Sequence, residues 1–472
     1  MFKSSSQNRS FTDGPIFSKI FLFALPIILT GILQVFYNWA DHIVVGQFSG
    51  NHLALAAVGC TGSLTALVVN LLVGISAGTG VVVAQSYGAK DYGTLSRTVH
   101  SSLAFAAIGG VVFSIIGLLV SRPALVLMGT KDELIDLSNL YMSIICMGIP
   151  ASAVMNFGAA AIRSCGDSKT PMIIFTSSGL INVLLNLIFV IVFKMSVDGV
   201  ALATIISQYV SAAAIVGIMA HRKNECYAFS LKKLRIHKRE LLMVLRYGVP
   251  AALQTVMYSI SNIVIASAAN VFSTADLSAK TITTNIDSIM YTSLSSYQHA
   301  AMTFVAQNYG AGKYKRINRA FAYSLIQVTA IGVSLGLILL AVANPLMSLF
   351  IDAADPNREA IMATGYELLS LLLTTYFILG IMETLSGTLR GLSYSVTPML
   401  VSIIGICGVR ILWVSLIFPL ESVHTMLGLY MVYPVSWIIT TLAFVVFCII
   451  AWKKLGRMAK KNQKQLELAE ID

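Results

Sequence analysis

Apolar residues run along this chain in long stretches broken by short polar turns, and a crossing of the lipid core needs roughly 20 of them. The pattern predicts membrane-spanning helices at 15–48, 53–85, 94–121, 137–162, 170–194, 198–220, 241–271, 276–308, 317–350, 360–390, 396–419 and 424–452. Several of these exceed the thickness of a bilayer, so tilted or protruding helices are expected. The predicted fold class is an all-α membrane protein of twelve transmembrane helices.

The composition fits lipid as the main solvent. Hydrophobic residues make up 56% of the 472 positions and charged residues 11%. The mean hydropathy is +0.79. A soluble domain carries about a quarter charged residues, so a water-covered surface is excluded. The first apolar run is far too long for the core of a cleavable leader.

The formal net charge of +11 does not point to nucleic acid. Of the 32 basic residues, 26 fall in the N-terminal segment, the even-numbered loops and the C-terminal tail. Positive charge concentrates on the cytoplasmic side of membrane proteins. Both termini are therefore expected in the cytoplasm, with the chain in the cell membrane.

The two halves repeat. VAQSYGAKDYGTLSR at 83–97 matches VAQNYGAGKYKRINR at 305–319, RSCGDSKTPM at 163–172 matches RGLSYSVTPM at 390–399, and Pro26 matches Pro250. The offset stays near 224 residues throughout. The expected domains are an N-terminal six-helix bundle (1–220), a basic cytoplasmic linker (221–240) and a C-terminal six-helix bundle with a basic tail (241–472). Six spans per half is even, so the bundles are expected to relate by a pseudo-twofold axis along the membrane normal, with a cleft between them serving alternating access.

Charge inside a bilayer is costly and usually functional. Asp41, Asp287 and Glu383 are the acids well inside apolar spans. Pro26, Thr30, Gln34, Tyr37, Asn38 and Asp41 follow steps of three and four, so they share one face of the first helix. A polar stripe facing lipid is penalised, so this face should line a cavity. Asn156, Asn182, Asn186 and Thr204 are candidate polar neighbours on the fourth, fifth and sixth spans. Singly, each suits helix-to-helix hydrogen bonding. Together with Asp41, their oxygens suit a proton relay or a Na⁺ site.

In the second half Asn262 stands where the first has Asn38, and Ile265 where it has Asp41. The eighth span carries its own stripe of Thr281, Thr284, Ser288, Tyr291, Ser295 and His299. Gln34, Tyr37, Asn38, Gln254, Tyr258, Asp287, His299 and Glu383 are assigned to the substrate cleft. Asp287, His299 and Glu383 admit two readings, as cleft groups that attract cations or as structural partners of one another. Few basic residues lie in the interior, chiefly Arg410, so the acids are expected to favour cationic substrates.

The six cysteines read as small buried residues rather than disulfides or metal ligands. GISAGTG at 74–80 reads as a close helix contact. There is no phosphate loop and no zinc motif. No enzyme activity, cofactor or bound metal is expected.

The early ALPIILTGILQVFYNWADHIVVG segment, the paired VAQ-x-YGA loops and the paired Thr-Pro-Met segments resemble the multidrug and toxic compound extrusion family over about 15–450. The resemblance implies an exporter of lipophilic, mostly cationic compounds driven by H⁺ or Na⁺; the protein is expected to be a monomer in contact with membrane lipid. It implies that Asp41 is the ion-coupling carboxylate, with Asn156, Asn182 and Thr204 in its polar network. Asn186 departs from a second Asp in many relatives, and Tyr258 from a Glu in one branch. With one carboxylate rather than two, H⁺ is favoured over Na⁺ at Asp41. A lipid-linked oligosaccharide or precursor flippase is the alternative, disfavoured by the scarcity of basic residues inside.

Overall fold

The structure, a computed structural model, describes residues 10–48, 52–352 and 355–469. Its helices are α1 (Ile16–Phe48), α2 (His52–Gly88), α3 (Tyr92–Leu127), α4 (Asp132–Ser164), α5 (Lys169–Leu187), α6 (Val197–His221), α7 (Lys238–Ala268), α8 (Thr274–Gly310), α9 (Tyr314–Ala341) and α10 (Ala343–Ser348). They continue with α11 (Arg358–Gly391), α12 (Val396–Ser402), α13 (Val409–Leu412), α14 (Met426–Tyr430) and α15 (Val432–Ala469). Eleven helical segments among the described residues are long and apolar enough to cross a membrane. The twelfth crossing is α8, whose 37 residues rise by about 1.5 Å each. Its Thr, Ser, Asn and Asp content lowers its apolarity. Large apolar side chains remain exposed along the helices, among them Leu119, Leu127 and Ile404. That surface suits lipid rather than water.

Proline and π turns account for the departures from the predicted spans. The ninth was expected to run to residue 350, but α9 stops at Ala341 and α10 starts afresh. Pro345 has no N–H to bond back to the Ala341 carbonyl. The fifth span ends in a π turn, Ile188–Val192. The eleventh contains two, Ile403–Gly408 and Trp413–Ile417, on either side of α13.

The described residues form two compact units. One runs from Leu29 to Val256, and the other takes Phe11–Ile28 with the chain from Met257 onward. α1 and α7 are thus each divided between the units, and each division falls shortly after a proline, Pro26 or Pro250.

In the first unit α4 packs against α2, α3 and α6. In the second, α11 packs against α8, α9 and α15. α4 and α11 are corresponding members of the repeat. Close approach rests on missing side chains. A Cβ on Gly387 of α11 would lie 2.4 Å from the Gln298 carbonyl oxygen of α8. A Cβ on Gly74 of α2 would lie 2.3 Å from Ala252 Cα of α7, as the GISAGTG segment predicted for a helix contact.

The repeat extends to backbone conformation. Lys90 (φ 58°) and Gly312 (φ 66°) occupy matching positions after α2 and α8. Gly166 (φ 90°) and Ser393 (φ 72°) match after α4 and α11. All four are left-handed, a conformation glycine adopts without strain and other residues adopt at a cost.

Candidate functional site

In the first unit, α1, α5 and α6 bring four of the candidate coupling residues together. Asn186 Nδ2 of α5 donates to Asp41 Oδ1 of α1. One turn earlier on α5, Asn182 Oδ1 lies 3.5 Å from the Asn186 amide nitrogen, and Asn182 Nδ2 lies 3.5 Å from Thr204 Oγ1 of α6. The spacing of 182 and 186 places both amides on one face of α5. Thr204 Oγ1 donates to the Val200 carbonyl 3.0 Å away. Asn186 is fully buried, and its Oδ1 has no hydrogen-bond donor. Asn156 stands apart from this chain and donates to Ser152 O (2.8 Å) on its own helix.

The rest of the α1 stripe is graded. Gln34 and Asn38 are exposed, while Tyr37 is half-buried and donates to the Thr176 carbonyl at 3.2 Å. Gly179 makes room for that ring, since a Cβ there would lie 2.0 Å from Tyr37 Cε2.

The second unit handles its acids differently. Asp287 of α8 accepts from Tyr376 Oη of α11 at 3.1 Å. Glu383 of α11 accepts from Gln298 Nε2 of α8. Each acid sits on one helix and its neutral donor on the other, so the two acids brace α8 to α11 without pairing with each other. Tyr376 and Gln298 escaped sequence reasoning. The signal for both is weak, a polar residue on a helix facing a membrane acid. Gln254 is buried, while Tyr258 and His299 are half-buried.

The second unit buries two basic residues, Arg390 and Arg410, along with Glu383, and Arg390 is the one that acts electrostatically on Glu383. Arg410 Nη1 donates to Asn262 Oδ1 (2.7 Å) and Ser261 Oγ (3.2 Å) of α7, and its guanidinium carbon lies 4.6 Å from the centre of the Tyr433 ring.

Asp13 lies below the usual carboxylate range because Lys313 Nζ donates to it. Burial pushes the Tyr227 phenol of the sixth-to-seventh loop up to about 12. Among the described residues no group of three or more His, Cys, Asp or Glu could hold a metal ion.

The chain is 26% identical over 445 residues to YoeA of Bacillus subtilis (strain 168), named a probable multidrug resistance protein, covering 93% of this chain and 95% of that one. It is 26% identical over 352 residues to a FAD transporter of Shewanella oneidensis, covering 73% and 76%. A solved structure described as the outward-facing conformation of a multidrug resistance MATE family transporter superposes with a TM-score of 0.86 at 19% identity, covering 97% of this chain and 100% of that one. That likeness establishes the fold of twelve helices in two six-helix bundles. The MatE family profile matches residues 26–188 and 250–414, one stretch in each half of the repeat. On that match the chain belongs to the MatE family, whose members are membrane transporters and not enzymes.

Proposed function

We propose that this protein is a secondary active multidrug exporter of the cell membrane. It exchanges H⁺ for lipophilic, mostly cationic compounds, and Asp41 is its coupling residue. The observation that carries the reading is a carboxylate held by the amide nitrogen of Asn186, whose own buried Oδ1 has no donor. A carboxylate beside an unsatisfied oxygen suits a cation. Protonation gives Asp41 a donor of its own, and Na⁺ would meet the same oxygens with Asn182 and Thr204 nearby. A single carboxylate favours H⁺ over Na⁺.

The exposed polar residues Gln34 and Asn38 on α1 support a water-lined face in the first unit, and Thr281, Thr284 and Tyr291 on α8 support one in the second, because such stripes are too costly against lipid. In this reading Tyr37, Gln254, Tyr258, Asp287, His299 and Glu383 also serve the substrate route, and Asn156 supports the coupling site from α4. In this reading the domains are the repeats 1–220 and 241–472 joined by the basic linker 221–240. Both termini are cytoplasmic and the protein acts as a monomer. YoeA, named a probable multidrug resistance protein, supports the outward direction of transport.

The test is purified protein in proteoliposomes loaded with a fluorescent lipophilic cation, with pH and Na⁺ gradients imposed separately. Efflux driven by the pH gradient alone is expected. Efflux that answers only to Na⁺ would overturn the ion, and no efflux under either gradient would overturn the exporter.

A further inference from the structure

Arg410 is the most conspicuous charge that the coupling reading leaves unused. The residue is 5% exposed, and among the described residues no carboxylate pairs with it. Its two bonds, to Ser261 and Asn262, come from Nη1 alone. Nε is buried with no acceptor. A guanidinium offers five donors in a fixed fork matched to an oxyanion. A buried charge with neutral partners and an idle donor is costly unless a counter-charge reaches it.

The surroundings add two features. Tyr433 lies under the guanidinium, and its ring neighbours Trp437, which in turn contacts Tyr376 (centroids 6.0 and 5.0 Å apart). These aromatic rings suit a flat, apolar ligand body. Arg410 also lies in α13, a four-residue turn between two π turns. Single π turns inside helices occur disproportionately at functional sites. The first unit meets its α1 stripe with Asn186 on the fifth span. The second meets the corresponding stretch of α7 with a cation on the eleventh.

From these residues we infer that Arg410 is the receptor for a carboxylate carried by flat aromatic substrates, with Nε and the fork of the guanidinium as donors and Tyr433 beside the ligand. The inference rests on the transporter reading and deepens it by naming the side chain that receives the oxyanion of a zwitterionic substrate. A counter-charge supplied by the ligand satisfies the donor that the protein leaves open.

Rhodamine B and rhodamine 6G share one cationic ring system, but the first bears a free carboxylate and the second an ester. Fluorescence polarisation with the purified full-length protein gives the affinity of each. Arg410→Met is expected to weaken rhodamine B by about tenfold or more, the size of a lost charged hydrogen bond, and to leave rhodamine 6G within about twofold. Arg410→Lys, which keeps the charge and loses the fork, should fall between. Sodium benzoate should displace rhodamine B from the unmodified protein and leave rhodamine 6G bound. This last measurement keeps the test decisive if Arg410→Met does not fold. Equal losses for both dyes, failure of the unmodified protein to bind rhodamine B, or failure of benzoate to displace it each overturn the assignment. Stronger displacement by phosphatidylglycerol than by benzoate overturns it in favour of a lipid phosphate. Rhodamine 6G efflux in proteoliposomes reports separately on the transporter reading, so failure of either idea is distinguishable from failure of the other.

Discussion

Asn186 of α5 donates its amide to Asp41 of α1 within the first unit. This bond ties the acid of the polar stripe to a helix that ends in a π turn two residues later. An acid that gains or loses a proton changes what it can accept and donate, so the junction between α1 and α5 responds to its charge. Pro26, fifteen positions before Asp41 on the same helix, supplies a place to bend without breaking a backbone hydrogen bond.

Asp41→Asn is therefore expected to abolish gradient-driven efflux while leaving the protein folded. The replacement keeps the shape and the hydrogen-bonding capacity but fixes the group in a neutral form. Asp41→Glu should retain part of the activity. Fluorescent-cation efflux in proteoliposomes, read beside the thermal unfolding of each variant, is the check. Full H⁺-driven efflux by Asp41→Asn would remove Asp41 from the mechanism.

The left-handed positions give a stability prediction that needs no functional assumption. Lys90 and Ser393 hold conformations for which the other half of the repeat uses glycine. Such a conformation costs a side-chain-bearing residue about 1 kcal/mol or more relative to glycine. Lys90→Gly and Ser393→Gly should each raise the unfolding temperature of the detergent-solubilised protein, and their effects should add because they lie in different units. A fall in unfolding temperature for both would show that side-chain contacts outweigh the backbone strain.

Much of this was legible in the sequence, and the reasons are physical. Apolar runs report directly on lipid exposure, so the spans could be read, including α8, whose polar face stands between helix ends set by the repeat. Asp41 stood out because a charge among Ile, Val and Phe is rare. The division of α1 and α7 between two units was not legible, since Pro26 and Pro250 show where a helix can bend but not which neighbours it packs against. The π turns beside Asn186 and Arg410 leave no compositional trace. The partners of Asp287 and Glu383 were hidden for a related reason. Tyr376 and Gln298 become partners only through the rotation of α8 against α11, which depends on packing along both helices.

The sixth-to-seventh loop tests the topology. It carries Lys223, Lys232, Lys233 and Arg235, and Lys232 is exposed. A cysteine introduced as Lys232→Cys in a variant lacking the native cysteines should react with a membrane-impermeant maleimide only when the cytoplasmic face is open to the reagent. Reaction in intact cells would invert the orientation.

A pH effect on stability is expected at the N-terminal end of α1. Asp13 accepts from Lys313 Nζ at 2.6 Å, and this contact is the main cause of its lowered pKa. A depressed carboxylate contributes stability above its unfolded pKa, near 3.8, and loses it as pH falls through the folded value. The group is largely exposed, so after solvent screening the contribution stays below about 1 kcal/mol. Asp13→Asn should lower the unfolding temperature slightly at neutral pH, by less as the pH falls below 3.8, with the difference shrinking in high salt. A difference that grows on acidification would contradict the sign.

The coupling ion turns on the number of acids at one place. Asp41 has Asn186 as its donor and Asn182 as the next amide along. Na⁺ must shed water to bind, and a hard cation recovers that cost from several oxygens and from negative charge. One carboxylate and neutral amides supply the oxygens but only one charge, whereas a proton needs a single oxygen. Asn186→Asp would place a second carboxylate at the position of the present donor, within hydrogen-bonding reach of the first. Two such acids repel when both are ionised, and a cation between them relieves that repulsion. This variant is therefore expected to gain efflux driven by a Na⁺ gradient and to depend less on the pH gradient than the unmodified protein. Asn186→Ala removes the donor without adding charge, and should weaken H⁺-driven efflux with no gain in Na⁺ response. Proteoliposomes with each gradient imposed alone give the comparison. Strong Na⁺-driven efflux in the unmodified protein, unchanged by Asn186→Asp, would show that charge count at this site does not select the ion.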